Sequence, residues 1–254
     1  MAMPRSSGTI PASTVWKLVL VAAVTAGCGI FGSSPTHGMQ ETEWYNEDIG
    51  DGEIHSADRC IMRGQCMNNT DSNGLLNCAY NGPSTLAGPE EMSIIESLCP
   101  MLIEPNSSST RICCDIKQLK TLQDQTTVAL QMLSGCPSCY YNFMTVFCHL
   151  TCDRNQSQFM RSTSELPVPD KPGEYALDAT ELFISTNPFE EFYSSCANVQ
   201  FSSSQSKALD ALCGQPAATC SPQALLTYLG GKSHSPFQIK FTHVNETSLP
   251  DDVV

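Results

Sequence analysis

Cysteine spacing constrains this chain more than any other feature of its sequence. Of its 14 cysteines, six lie between Cys113 and Cys152, in a stretch whose apolar residues recur at steps of three and four. This period is typical of α-helices, so we predict two consecutive helices separated by a break at 134–137. Cys148 and Cys152 are four residues apart and would lie on one face of the second helix. Such a cysteine content indicates disulfide bonds, an oxidising compartment and a chain cross-linked to this central stretch.

Composition excludes several classes of function. A net charge of −13 argues against nucleic acid as a partner and against a basic surface that binds acidic membranes. The five histidines do not cluster with the cysteines, so the sequence predicts no metal site. A hydrophobic content of 41% in 254 residues is enough for one main domain of about 150–200 residues.

Composition also divides the chain into segments. Residues 1–32 contain positive charges followed by an apolar run at Leu18–Phe31, which predicts a secretory signal peptide. Two alternatives for this segment are an uncleaved membrane anchor and a lipid-modified Cys28. The remaining segments are an acidic leader that we expect to be disordered at 33–58, a folded domain at 59–244 and the start of a linker at 245–254.

Local patterns predict further secondary structure and surface modification. Outside the central stretch, helical patterns occur at Pro89–Leu98, Asp178–Ser195, Ser206–Leu212 and Pro222–Leu229, and the second of these is interrupted or starts anew at Pro188. Alternating apolar residues from Phe237 to Phe241 predict a strand. Four Asn-x-Ser/Thr sequons agree with a secreted surface, at Asn68, Asn106, Asn155 and Asn245.

No motif predicts an enzyme. The sequence Cys136-Pro137-Ser138-Cys139 has the spacing of a redox-active pair, but among so many cysteines we expect both to be structural. We find no nucleophile-elbow signature, no glycine-rich phosphate loop and no motif for a cofactor. A disulfide oxidoreductase is therefore only a distant alternative.

Two neutral amides stand beside cysteines. Asn77 directly precedes Cys78, and Gln118 lies four residues after Cys114 at the edge of an apolar helix face. A residue at such an edge usually marks only the boundary between core and solvent. An amide can nevertheless both donate to and accept from a ligand hydroxyl.

Several motifs follow one another in a specific order along the chain. They are Cys60-x5-Cys66, Asn77-Cys78-x-Tyr80-x-Gly82-Pro83, Cys113-Cys114-Asp115-x2-Gln118-Leu119, Cys136-Pro137-Ser138-Cys139, Phe147-Cys148-x-Leu150-Thr151-Cys152 and Pro236-Phe237-x-Ile239. Together they closely resemble the luminal amino-terminal domain of Niemann-Pick type C1 proteins, over about residues 58–244.

The resemblance implies a fold and a ligand. The fold is α+β, a mainly helical and disulfide-rich domain with a small mixed β-sheet and an internal pocket. The ligand is cholesterol or a related sterol, whose hydroxyl is held by Asn77 and Gln118. The residues that the resemblance places in the pocket or at its mouth are Gln65, Met62, Leu212, Pro236 and Phe237. Two of these depart from the family pattern, because Gln65 replaces an acid and Met62 replaces a tryptophan.

The resemblance also implies partners and a location. A small soluble luminal sterol carrier of the Niemann-Pick C2 type would exchange sterol with this domain, and a membrane transporter portion missing from this chain would receive it. The location would be the lumen of the lysosome or late endosome, or the extracellular or apical face of the cell. The full-length protein would be attached to the membrane.

The family's disulfide pattern transfers to twelve cysteines of this chain. The implied pairs are Cys60 with Cys113, Cys66 with Cys78, Cys99 with Cys148, Cys114 with Cys152, Cys139 with Cys196 and Cys213 with Cys220. Removal of Cys28 with the signal leaves an odd number, so we expect Cys136 to be unpaired. With Cys136 unpaired, two interpretations of the chain stay open: it is a fragment of a longer transporter, or it is a free-standing secreted sterol binder.

One competing function belongs to a different class. A cysteine-rich extracellular domain that binds proteins and buries no lipid would share the signal, the disulfides and the sequons. It would have a filled core around Asn77 and Gln118, whereas a sterol-binding domain would have a cavity there.

Overall fold

The computed structural model describes residues 57–69, 74–104, 109–133, 135–200 and 206–244, with only the backbone described at 187 and 188. Several sequence-based expectations lie outside these residues. They are the signal peptide at 1–32, the leader at 33–58 except for its last two residues, the linker at 245–254, and the sequons at Asn106 and Asn245.

Helices contain more of the described residues than strands do. Their bounds are α1 Pro89–Leu98, α2 Ile116–Leu133, α3 Pro137–Cys152, α4 Gln156–Phe159, α5 Thr186–Cys196, α6 Ala208–Leu212 and α7 Pro222–Leu229, with a 3₁₀ turn at Pro100–Leu102. The prediction of two helices with a break at 134–137 is confirmed. Pro137 occupies the first turn of α3, where its missing N–H costs no helical hydrogen bond. None of the helices in the described residues is long and apolar enough to cross a membrane.

A five-stranded mixed sheet packs against the helices. The strands are β1 Arg59–Asn68, β2 Leu75–Pro83, β5 Met160–Pro167, β6 Tyr175–Ser185 and β7 Gln238–Val244, and a separate short pair consists of β3 Thr85–Leu86 and β4 Arg111–Ile112. The sheet order is β1-β2-β6-β5, and β7 pairs with β6 in parallel. The strand predicted near Phe237 is therefore confirmed, as is the α+β, disulfide-rich fold.

The helix predicted at Asp178–Ser195 is wrong over its first half. Residues Tyr175–Ser185 form β6, and helix α5 begins only at Thr186. β6 is hydrogen-bonded to β5 on one side and to β7 on the other. These long-range pairings decide the conformation of β6 and override the helix-like spacing of its apolar residues.

Helix α3 is the element to which the rest of the domain is cross-linked. It buries residues on nearly all sides over its second half, and it contains Cys139, Cys148 and Cys152. Disulfides join these cysteines to Cys196, Cys99 and Cys114. The central stretch therefore has the organising role that its cysteine spacing predicts.

The structure contains all six disulfide pairs that the family resemblance implies. They are Cys60–Cys113, Cys66–Cys78, Cys99–Cys148, Cys114–Cys152, Cys139–Cys196 and Cys213–Cys220. The expectation of an unpaired Cys136 is wrong, because Cys136 is also disulfide-bonded and no described cysteine is free.

Candidate functional site

A small cavity lies where the β1–β2 hairpin, α2, α3 and the segment between α7 and β7 meet. Its volume is about 50 Å³. Its lining consists of Gln65, Leu75, Asn77, Gln118, Thr121, Leu122, Gln125, Phe147, Leu150, Thr151, His234, Ser235, Pro236 and Phe237. A ligand site for a drug-sized molecule usually has a volume of about 300–1,000 Å³. In this conformation the cavity therefore holds water-sized molecules and is too small for a sterol.

Gln118 presents an unpaired donor at this cavity. Its side chain is only 2% exposed, in the first turn of α2. The Oε1 oxygen accepts hydrogen bonds from the backbone N–H of Gly64 at 2.6 Å and of Asp115 at 3.0 Å. The Nε2 group has no hydrogen-bond partner among the described residues. A buried unpaired N–H costs about 1–3 kcal/mol, so this donor, in a residue that lines the cavity, is one that an acceptor placed there could satisfy.

The direction of the Gln118 amide is fixed by the backbone around it. Gly64 adopts a φ of 79°, a left-handed conformation that a residue with a side chain rarely adopts. From this conformation the Gly64 N–H reaches Gln118 Oε1. The Gln118 backbone N–H also donates to Asp115 Oδ1 at 2.9 Å, which closes the turn before α2. With the oxygen held twice by backbone groups, the nitrogen is directed away from them.

Asn77 contributes the complementary group. It lies on β2, is 7% exposed and lines the same cavity. Its Nδ2 donates to the sulfur of Met62 at 3.1 Å, and no described donor is bonded to its side-chain oxygen. A hydroxyl placed between the two amides would donate to Asn77 and accept from Gln118.

A second polar pair extends this end of the cavity. Gln65 lies opposite Asn77 in the β1–β2 register, and its Nε2 donates to Thr121 Oγ1 at 2.9 Å. Both side chains line the cavity. Among its lining residues only His234 is titratable, so the cavity contains no carboxylate, lysine or arginine. A neutral ligand with one polar group fits this lining better than an ion does.

Gln156 connects two of the elements that line the cavity, β1 and α3, by hydrogen bonds. It is fully buried, and its Oε1 accepts from the backbone N–H groups of Ile61 and Met62. Its Nε2 donates to the carbonyls of Leu150 and Thr151, both at 3.0 Å. One side chain thus connects β1 to the end of α3, and both elements line the cavity.

The structure brings together most of the residues predicted for the site. Gln65, Asn77 and Gln118 lie at one end of the cavity, and Pro236 and Phe237 lie in its wall. Met62 does not line the cavity but lies behind Asn77, where its sulfur accepts a hydrogen bond. Leu212 is also outside the lining, since it is buried on α6, and its assignment to the pocket or the pocket mouth stays a prediction.

Sequence reasoning missed several lining residues. On α2 these are Thr121, Leu122 and Gln125, which share a helix face with Gln118 because they follow it by three, four and seven residues. On α3 they are Phe147, Leu150 and Thr151, which have the same spacing. The spacing could have identified both faces, but only the packed structure shows that they face each other.

The Cys136-Pro137-Ser138-Cys139 motif does not form a dithiol pair. Cys139 is bonded to Cys196, and Cys136 is itself disulfide-bonded. This arrangement disfavours the oxidoreductase alternative. In the part of the chain that the structure describes, no group of three or more His, Cys, Asp or Glu residues could hold a metal ion.

Comparison with known proteins places this arrangement in a family context. Residues 57–253 match the family described as Niemann-Pick C1 N terminus. The chain is 34% identical over 185 residues to NPC intracellular cholesterol transporter 1 of Sus scrofa, an alignment that covers 71% of this chain and 14% of the pig protein. It is 29% identical over 199 residues to NPC1-like intracellular cholesterol transporter 1 of Homo sapiens, covering 74% of this chain and 14% of the human protein. The chain thus spans about one seventh of the length of these curated relatives.

Proposed function

The chain belongs to the Niemann-Pick C1 N-terminal family, and from this premise we propose that its folded domain binds one cholesterol-like sterol and takes part in sterol transfer. The single observation that supports this most is the buried, unpaired Nε2 of Gln118 at a cavity shared with Asn77. The relatives are named as intracellular cholesterol transporters, and these names point to the same class of ligand.

The polar end of the cavity suits a sterol hydroxyl. A sterol has one hydroxyl, which can donate one hydrogen bond and accept others. The Gln118 N–H would donate to the hydroxyl oxygen, and the Asn77 oxygen would accept the hydroxyl hydrogen. A ketone in the same place could satisfy only Gln118, and a ligand without a polar group could satisfy neither.

The remaining lining suits the apolar body of a sterol. Leu75, Leu122, Phe147, Leu150 and Phe237 contribute apolar side chains to the cavity. At about −0.3 kcal/mol per heavy atom, a ligand of about 28 heavy atoms would bind with about −8 kcal/mol, which corresponds to micromolar affinity. Such an affinity is compatible with transfer, because a transferred ligand must also leave.

The volume of the cavity sets a condition on this function. Since the cavity measures about 50 Å³, a sterol can bind only if the walls move apart. One wall of the cavity is neither helix nor strand: the segment 230–237 between α7 and β7 contributes His234, Ser235, Pro236 and Phe237 to the lining. Binding in our proposal is therefore coupled to an outward movement of this segment.

We further propose that transfer takes place in a lumen of the secretory or endolysosomal pathway. The six described disulfides require an oxidising route of synthesis. A small soluble carrier of the Niemann-Pick C2 type would deliver the sterol, and a membrane portion of the longer protein would receive it. The alignments, which cover only a small part of each relative, are compatible with such a membrane portion.

One observation favours a second function. The small volume is what we expect of a protein-interaction domain with a filled core, which would bind partners through its surface and bury no lipid. In that case the unpaired Gln118 donor would be satisfied by water. The two functions differ in whether the purified chain binds a sterol in a saturable manner.

Equilibrium binding of radiolabelled cholesterol to the secreted, disulfide-bonded protein tests the proposal. We expect saturable binding of one sterol per chain, weakened about fivefold or more in Gln118→Ala because an unpaired buried hydrogen-bonding group costs at least about 1 kcal/mol. The matched control is Gln123→Ala, which removes an exposed amide from the same helix and should leave binding unchanged. Binding that survives Gln118→Ala would reject the hydroxyl site. No binding by any of the three proteins would instead favour the interaction domain.

A further inference from the structure

Two of the four sequons have their asparagine in the described part of the chain, and the two asparagines differ in exposure. Asn68 is the exposed last residue of β1. Asn155 is only partly exposed, its oxygen accepts from the backbone N–H of Asp58 at 2.8 Å, and Ser157 of the same sequon is fully buried. A glycan is bulky and hydrated and needs a surface position. Of these two asparagines, Asn68 meets that requirement.

The hairpin register places Asn68 on the cavity side. Asn68 pairs with Leu75 across the β1–β2 hairpin, and Gln65 pairs with Asn77 in the same ladder. Residues directly opposite one another in an antiparallel ladder project from the same face, with Cβ atoms about 4.5–5.5 Å apart. Leu75, Gln65 and Asn77 all line the cavity. The side chain of Asn68 is therefore adjacent to the cavity lining and on the same face of the hairpin.

The exposed lining residues locate the mouth of the cavity. Leu75 is 42% exposed, and Gln125 and His234 are also exposed. Asn77 and Gln118, by contrast, are buried at its inner end. The residue after Asn68 contributes to the same rim, because Asn69 Nδ2 donates to the carbonyl of Pro236 at 2.8 Å. Asn68 thus lies beside the mouth, next to the exposed Leu75 and to the hydrogen bond between Asn69 and Pro236.

We propose that Asn68 carries an N-linked glycan at the mouth of the cavity and that this glycan slows passage of the ligand without changing its equilibrium affinity. The inference rests on the proposed sterol function. Attachment joins Asn68 Nδ2 to the anomeric carbon of a lipid-linked oligosaccharide diphosphate. The anomeric C–O bond breaks, the lipid diphosphate leaves with the bonding electrons, and the amide loses one proton.

The kinetic effect follows from where the glycan would stand. A hydrated chain outside the mouth makes no contact with the bound sterol, so it does not stabilise or destabilise the complex. It does occupy the space through which a sterol must move in both directions. Uptake and release are therefore slowed by the same factor, and their ratio, which is the dissociation constant, stays the same.

Occupancy is measured first. The full chain is secreted from cultured animal cells, and its glycopeptides are treated with peptide N-glycosidase in ¹⁸O-water, which converts each glycosylated asparagine to labelled aspartate. Mass spectrometry should find the label at Asn68 in most molecules. Absence of the label at Asn68 overturns the proposal, whatever the protein does with sterols.

Transfer rates are measured next. Release of bound tritiated cholesterol to empty phosphatidylcholine vesicles should be about threefold or more faster in Asn68→Gln, corresponding to a lower activation barrier. Uptake from loaded vesicles should accelerate equally. Thr70→Ala removes the sequon but keeps the Asn68 side chain, so it should behave as Asn68→Gln does.

The outcomes separate this proposal from the proposed function. Equal rates with an occupied Asn68 overturn the kinetic effect, and so does an affinity that changes with the glycan. A difference between Asn68→Gln and Thr70→Ala assigns the effect to the asparagine side chain and also overturns it. If neither glycosylated nor unglycosylated protein binds cholesterol, the sterol function itself fails.

Discussion

The side-chain oxygen of Gln118, a residue that lines the cavity, is held by two backbone N–H groups, and one of them belongs to a glycine. Gly64 and Asp115 hold the side-chain oxygen, which leaves the nitrogen as the group available to a ligand. Only a residue without a side chain adopts the φ of Gly64 without strain. In the proposed site, recognition of a hydroxyl would therefore depend on Gly64, which does not line the cavity.

Replacing Gly64 should reduce the selectivity of the site. In the wild type we expect cholesterol to bind about tenfold more tightly than its 3-keto analogue, because the ketone leaves the Asn77 oxygen unpaired. In Gly64→Ala the backbone rotates out of the left-handed region, the Gln118 amide is free to turn, and the ratio should fall toward one. Competition binding with both sterols measures this ratio of affinities.

Gly173 provides the control for backbone strain. It has a φ of 86°, with nothing within 4 Å of an added Cβ, and it does not line the cavity. Gly173→Ala should therefore cost a similar stability, about 1–2 kcal/mol, and leave the sterol ratio unchanged. A ratio that falls equally in both variants would mean that Gly64 has no specific role in directing Gln118.

Glu181 should make the stability of the domain depend on acid pH. Burial alone would raise the pKa of its carboxyl, but hydrogen bonds from Lys240, Thr242 and Arg161 outweigh burial and lower it to about 2 from 4.5. Because the folded pKa is lowered, the stabilisation is complete above the ordinary value. It is lost as the pH falls from about 4.5 toward 2.

A glutamine at this position removes the titrating group. Glu181→Gln should lower the free energy of unfolding by about 1–2 kcal/mol near neutral pH, a figure reduced because Arg161 and Lys240 are half-exposed or more. The difference from wild type should shrink as the pH falls below about 4.5. Denaturant unfolding over a pH series measures this difference in the free energy of unfolding. Glu174→Gln, at an exposed position, is the control and should change the free energy of unfolding little. A difference that stays constant down to the lowest pH would contradict the pKa assignment.

At the residue scale, the sequence leads to two amides that line one cavity, but it does not give their orientation. The family resemblance selects Asn77 and Gln118 by position. It cannot show that the Gln118 oxygen is already bonded to Gly64, since that contact spans more than fifty residues of chain. For Leu212 the resemblance implies a place in the pocket or at its mouth, whereas in this structure it is buried on α6 and outside the lining.

Disulfides that close long loops join helix α3 to the rest of the domain. The Cys99–Cys148 bond joins the end of α1 to α3 across 49 residues, whereas Cys213–Cys220 spans only seven. Removing the disulfide that closes the longer loop should cost more stability, because a cross-link between distant residues restricts the unfolded chain more strongly. The chain-entropy relation gives about 4 kcal/mol for the first and about 2 kcal/mol for the second.

Denaturant unfolding of two double variants tests this order. Cys99→Ala/Cys148→Ala should be the less stable protein, and Cys213→Ala/Cys220→Ala should be intermediate between it and the wild type. Alanine keeps the buried positions of Cys99 and Cys148 apolar. The reverse order of stabilities would show that α3 is held mainly by its packing.

The contact between the hairpin and segment 230–237 should control how fast the cavity opens. Asn69 Nδ2 donates to Pro236, whose side chain lines the cavity. In Asn69→Ala the wall loses this restraint, so sterol uptake and release should both accelerate about threefold, with affinity changed by less than about twofold. Vesicle transfer assays measure both rates, and the Asn68 sequon is preserved in this variant.

Gln215→Ala is the matched control for this contact. Gln215 Nε2 donates to the carbonyl of Thr219 at 2.9 Å, an exposed bond of the same type away from the cavity. Its loss should leave transfer rates unchanged. Equal rates in Asn69→Ala and wild type would mean that another part of the wall opens.

At the element scale, local patterns were informative for helices and poor for strands. Apolar periodicity placed the break between α2 and α3 correctly because both helices are long and strongly patterned. β1, β2 and β5 were missed, and β6 was predicted to be helical. Strands depend on partners far away in sequence, such as β7 for β6, and a local pattern cannot show those partners.

The molecule as a whole has a cross-linked part and a part held by other contacts. Five of the six described disulfides connect elements between Cys60 and Cys196, while residues 206–244 have only the internal Cys213–Cys220 bond among these six. The amides lie on the cross-linked part, and the wall at 230–237 lies on the other. In the proposed function, this division would keep the polar site in place while the wall moves.

The cavity itself could not be predicted from the sequence. Its existence depends on how a hairpin, two helices and one irregular segment pack, and its volume of about 50 Å³ depends on the conformation of that segment. Composition and cysteine spacing predict a disulfide-rich secreted domain, and the family resemblance adds the ligand class. Neither contains the distances that decide whether a ligand fits.

The most direct test compares two ligands that differ only in the hydroxyl. The affinities of the wild-type protein for cholesterol and for the same sterol skeleton without its hydroxyl are measured by equilibrium binding. We predict saturable binding of cholesterol and binding of the analogue about ten- to a hundredfold weaker, since the analogue leaves both amides unpaired. Equal affinities, or no saturable binding of cholesterol, would contradict recognition of a sterol hydroxyl by Asn77 and Gln118.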